Sequence, residues 1–129
     1  RSREFASRLA ERFYKQHMIA MMEGNVKTAF FAVLHSAWAC DDARDSDNAV
    51  FCRQKALETL DKLSMKGEEK ETFMLIKADL LRRTEQFDLL IKEYEGKTFS
   101  QEILNKIALF QIEKAKQQDT DCYTVADVQ

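Results

Sequence analysis

The chain has 129 residues, no proline, three glycines, 45% hydrophobic and 33% charged residues, and this length suffices for one core-bearing domain. The shortage of turn residues excludes a sheet-rich fold, the even spread of apolar and aromatic residues excludes disorder, and no apolar run approaches the ~20 residues of a membrane-spanning helix. Twenty basic residues against 22 acidic ones give a formal charge of −2, without the basic excess of a dedicated nucleic-acid binder.

Three- and four-residue apolar spacing predicts about six helices in antiparallel hairpins. The first runs roughly over 2–23, with Phe5, Leu9 and Phe13 beside Ala6, Ala10, Tyr14, Met18 and Met21, and Gly24-Asn25 ends it. The second spans 26–42 and is apolar over much of its circumference (Phe30, Phe31, Val33, Leu34, Ala37, Trp38, Cys40), as befits a central helix packed on two sides. The acidic stretch 41–48 closes it, and Asp45, Ser46 or Asp47 caps a third helix running to Met65. A polar turn over 66–70 contains Gly67. A fourth helix follows over 69–84, a fifth over 87–94 ended by Gly96, and a sixth capped by Ser100 and running to Gln118. The tail, 119–129, is polar, with Tyr123, Val125 and Val128 as anchors onto the last helix. The whole reads as a single helical domain, 1–129. Arg rather than Met at position 1 is what is expected of a piece of a longer chain or of a chain without its leading residues.

The pattern repeats. Ala37, Ala49 and Ala56 stand at Ala-x11-Ala-x6-Ala spacing, and a shift of 41 residues carries Ala37 onto Ala78 and Ala49 onto Leu90. Leu81, Phe87 and Tyr94 complete the second copy, and Leu104, Ile107 and Ala108 begin a third first-helix. Over about 30–111 this resembles the tetratricopeptide helix-turn-helix, although the Gly-Asp turn and closing proline are missing and the period exceeds 34. Trp38, Ala56, Ala78 and Leu81 take hairpin-contact positions and are expected to be buried. The positions Ala37, Trp38, Lys55, Ala56, Leu57, Leu81, Arg82, Arg83 and Phe87 are also similar to the helical part of uncharacterised bacterial proteins in which a zinc ribbon precedes tetratricopeptide-like helices. The ribbon's cysteine pairs are absent here, so nothing about zinc carries over.

Candidate chemistry is sparse. Arg12 and His17 form R-x4-H, a spacing found in helical nucleases that cleave RNA with an arginine and a histidine, but Phe13 stands where that motif has a polar residue. Cys40, Cys52 and Cys122 are odd in number and form no CxxC, which argues for free thiols in a reducing cytoplasm, bacterial by the resemblance above. Cys40 and Cys52 come within reach if their helices are antiparallel neighbours, whereas His35 and Cys40 do not share a face. Asp41, Asp42, Asp45 and Asp47 lack the glycine and terminal glutamate of a calcium loop. Glycine-rich phosphate loops are missing, and no metal or cofactor is implied.

The tetratricopeptide resemblance implies a right-handed stack with a concave groove for a protein or peptide, without catalysis. First helices line that groove and offer His35 and Asp42 from the second helix and Lys77, Arg82 and Arg83 from the fourth. Adjacent arginines can fork a carboxylate, or instead pair with Glu85 or the helix C-terminus. Competing functions are the R-x4-H nuclease and a purely structural helical domain. Nucleic acid and membrane are not expected as partners, and a homodimer is compatible with the pattern.

Overall fold

A computed structural model describes residues 2–128. All regular structure among them is helical, in seven helices, and none of these is long and apolar enough to cross a membrane. The chain divides into two compact units, Arg1–Leu63 and Ser64–Gln129.

In the first unit, α1 (Arg3–Met22) begins where the Ser2 hydroxyl accepts from the Phe5 amide at 3.1 Å. It ends where Gly24, at φ +75°, turns the chain back: the Asn25 amide reaches the Ala20 carbonyl at 2.9 Å. The Asn25 side chain then caps α2 (Val26–Asp42) through the Thr28 amide, and Asp45 caps α3 (Ser46–Leu60) through the Asn48 amide. Helix α2 packs on both α1 and α3. Its contact positions are mostly small: Ala29 and Ala37 are fully buried with Phe30 and Val33, against Ala6, Ala10 and Ala20 of α1 and Ala49 and Ala56 of α3. Small residues let the backbones approach, and polar side chains join the helices there. The Ser36 hydroxyl donates to the Ala10 carbonyl at 2.8 Å, and Arg53 of α3 forks the Asp41 carboxylate at 3.0 and 2.7 Å.

In the second unit, α4 (Gly67–Arg83), α5 (Phe87–Tyr94) and α6 (Glu102–Lys116) pack on one another, and the short α7 (Val125–Val128) lies on α6. Phe73, Ala78, Leu80, Leu81, Leu90, Tyr94 and Ile112 form the core. The Tyr94 hydroxyl donates to the Met74 carbonyl at 2.6 Å, and burial raises that phenol's pKa.

The 41-residue shift recurs in the helix bounds. Applied to the bounds of α2 it gives those of α4, and α3 and α5 start at equivalent positions. The turns match as well. Arg44 and Glu85 both adopt positive φ (57° and 63°), and the next residue's amide returns to Cys40 in one turn and Leu81 in the other.

Local expectations fail at three places. Helix α3 stops at Leu60 rather than Met65, and α4 starts at Gly67. Ser100 does not cap α6: its amide and hydroxyl both bond the Glu71 carboxylate, which lowers that group's pKa, and Gln101 takes the cap position instead. Trp38 is 49% exposed. It lies one residue past Ala37, about 100° around the helix from the seam, so the neighbouring alanine takes the contact and the indole faces outward.

Candidate protein-binding face

Helix α2 is buried on most of its circumference, by Ala29, Phe30, Val33, Ser36, Ala37 and Cys40 among others. The least buried arc carries Phe31, His35, Trp38 and Asp42, whose spacings of four, three and four residues align them on one face. Phe31 and His35 are half-buried and Asp42 is exposed. The rings form a short ladder: His35 meets Trp38 edge-on with centroids 5.0 Å apart, and Phe13 of α1 packs tilted on His35 at 5.3 Å. Helical spacing places Leu9 and Phe5 in line with Phe13, and Phe5 is 41% exposed. Beyond His35, a shallow hollow is lined by Gln16, Lys27, Thr28 and Phe31. Of the expected site residues, the structure therefore brings His35 and Asp42 onto one face. Phe31 and Trp38, which complete it, were missed; their shared spacing with His35 and Asp42 was the available signal.

The opposite side of α2 forms the floor of a cleft of about 370 Å³, walled by Tyr14 and Met18 of α1 and Phe51 of α3. Tyr14 and Phe51 approach across it with centroids 5.9 Å apart. Cys40 and Cys52 lie at its base as free, buried thiols close enough to hydrogen-bond each other, and Cys52 also donates to the Ser36 hydroxyl at 3.5 Å. Burial, followed by the neighbouring Cys52 and the Asp45 and Asp41 carboxylates, pushes the Cys40 thiol up to about 12, so it is a poor nucleophile near neutrality. His35 faces away from this cleft, as the five-residue spacing predicts.

The remaining expected residues are engaged within the second unit. Lys77 pairs with Glu93 at 3.0 Å. Arg82, expected to line a groove, is fully buried. Its Nε donates to Gln111 Oε1 at 2.7 Å, Nη1 to the Asp119 carbonyl at 2.7 Å and Nη2 to Asp79 Oδ1 at 3.1 Å, with the Tyr123 ring 5.4 Å away. It therefore secures the tail and offers nothing to a partner, because apolar packing and the returning chain close over it. Arg83 is half-buried on the same turn.

The R-x4-H residues do not assemble a site. Arg12 is exposed, whereas His17 is buried with Nδ1 2.7 Å from the Ala29 carbonyl. In the acidic stretch, Asp41 is held by Arg53 and Asp45 by its cap, and no three His, Cys, Asp or Glu side chains converge as metal ligands among the described residues. Comparison of the chain with protein-family models, curated proteins and solved structures returns no match.

Proposed function

We propose that the chain is a helical protein-interaction module of tetratricopeptide-like type, without catalysis or cofactor, that binds a protein or peptide partner through the aromatic face of α2. One observation carries this reading. A helix buried on most of its circumference presents the chain's single tryptophan, Trp38, half-exposed to solvent and stacked edge-on against His35. Half-exposed aromatics that already make ring contacts lose little conformational freedom on binding, and Trp is strongly enriched among residues that dominate interface energies. Hairpins repeating at 41 residues support the helical-repeat reading. Two adjacent free thiols fit a reducing cytoplasm. The nuclease alternative is disfavoured because His17 is buried with Nδ1 on a carbonyl, separated in orientation from Arg12.

The test is a photoactivatable benzophenone side chain in place of Trp38, with the same group at exposed Gln54 on α3 as control, irradiated in extract of the source cell. The reading expects a discrete adduct from position 38 that is absent from position 54. Equal or no adducts from the two positions would leave a purely structural helical domain.

A further inference from the structure

The cleft on the other side of α2 has a floor that the aromatic face does not use. Cys40, near the C-terminal end of α2, and Cys52 of α3 meet there as free, buried thiols within hydrogen-bonding reach of each other. Cys52 is oriented by Ser36, whose hydroxyl accepts from it and is itself committed to the Ala10 carbonyl. From this pair the cleft of about 370 Å³ leads out between Tyr14 and Met18 of α1 and Phe51 of α3. Met18 and Phe51 are half-exposed, so the thiols have both an apolar anteroom and an entry path.

We infer that Cys40 and Cys52 form a two-sulfur binding site for trivalent arsenic carrying one organic substituent, with the substituent housed in the cleft. Paired thiols select a soft centre, and the surroundings decide which one. Zinc needs four donors, and no three His, Cys, Asp or Glu side chains converge among the described residues. Monovalent copper would leave the buried pair with a net negative charge, where burial, the second thiol and the Asp45 and Asp41 carboxylates already disfavour a thiolate. A monosubstituted arsenoxide leaves a neutral product. Two As–S bonds form, both S–H bonds break, and the arsenic oxygen leaves as water with the two protons. Arsenic stays trivalent, so no oxidant or reductant takes part. Its remaining bond carries the organic group, which loses its hydration against Tyr14, Met18 and Phe51.

The test titrates phenylarsine oxide into the whole chain carrying Cys122→Ser, kept reduced by a phosphine, and reads intact mass under native conditions. The expected product holds one phenylarsenic per chain and has lost the arsenic oxygen as water. Cys40→Ser and Cys52→Ser should each weaken binding about a hundredfold or more, because the second bond is then no longer intramolecular, with far-ultraviolet ellipticity checking that the helices persist. Phe51→Ala, at a half-exposed position, keeps both thiols and removes one wall. The parent should bind the phenyl compound about tenfold or more tighter than methylarsine oxide. Phe51→Ala should shrink that preference and leave the affinity for the methyl compound unchanged. No adduct, two arsenicals per chain, an adduct that retains its oxygen, or full affinity in either folded serine variant overturns the two-sulfur site. Equal affinity for the phenyl and methyl compounds, or a preference untouched by Phe51→Ala, overturns the placement of the substituent in the cleft.

Discussion

Replacing Arg82 by methionine should remove more stability from the second unit than any surface change. Methionine preserves much of the apolar stem, so the loss falls on the guanidinium contacts. The Asp79 carboxylate is 39% exposed, and water takes over much of that bond, leaving about 0–1 kcal/mol. The bonds to Gln111 and to the Asp119 carbonyl come from a charged, fully buried donor, and each is worth about 1.5–3 kcal/mol net. Together the loss is about 3–7 kcal/mol, and its lower part coincides with the cost of breaking a buried charge pair, about 3–5 kcal/mol. For a domain of this scale each kcal/mol moves the melting temperature by roughly 4–8 °C, so ellipticity melts should shift by at least about 12 °C. Changing Gln111 to leucine in the same chain should recover part of the loss, because the amide is then no longer left without its donor. A shift of only a few degrees for Arg82→Met would refute the assignment and return Arg82 to the list of open, partner-facing side chains. Binding assays that rely on charge reversal at Arg82 would report folding instead of recognition.

Further outcomes follow from the turns, the thiols and the tail. Arg44 and Glu85 hold positive φ without being glycine, so Arg44→Gly and Glu85→Gly should each stabilise the chain by about 0.5–1 kcal/mol in urea titrations. Of the three thiols, exposed Cys122 should react with Ellman's reagent within the mixing time at mildly alkaline pH. Buried Cys40 and Cys52 should react only as fast as the protein opens, and three equal fast phases would contradict their burial. The Asp119 carboxyl is lowered, first by the Tyr123 hydroxyl and then by the Asp121 amide. Its contribution is therefore present above the unfolded pKa and lost as pH falls through the folded one. Melting temperature should drop more steeply on acidification below about pH 4 in the parent than in Asp119→Asn. The same contact pushes the Tyr123 phenol up to about 12, so its share of stability is present below about pH 10 and is lost as pH rises from there towards 12.

The identities of α1 to α6 were legible because apolar spacing persists through each of them, whereas the four-residue α7 in the tail was not expected, and the bounds of α2 and α5 agree with those expected from Gly24-Asn25, the acidic stretch and Gly96. The buried positions Ala56, Ala78 and Leu81 were readable for the same reason, since small or apolar residues at seam spacing have few other roles. Trp38 was misplaced because a large apolar side chain beside a seam alanine looks like core, and only the 100° step from Ala37 shows that it cannot share the seam. Arg82 was misplaced in the other direction. A charged residue in a last helical turn is ordinarily solvated there, and nothing local shows that Gln111 and the Asp119 carbonyl, 29 and 37 residues further on, come back to meet it. Ser100 failed similarly, because the distant Glu71 competes for its hydroxyl. Contacts made within a helix or its caps could be read from sequence, whereas polar contacts between distant segments could not.

The account stands on the aromatic face of α2, and Trp38 reports on that face directly because it is the chain's only tryptophan. Its fluorescence should be quenched by acrylamide as for a half-exposed indole, and addition of the partner captured at position 38 should move the emission to shorter wavelength and reduce the quenching. Emission and quenching that stay constant on adding that partner would place the contact elsewhere and contradict the assignment of this face.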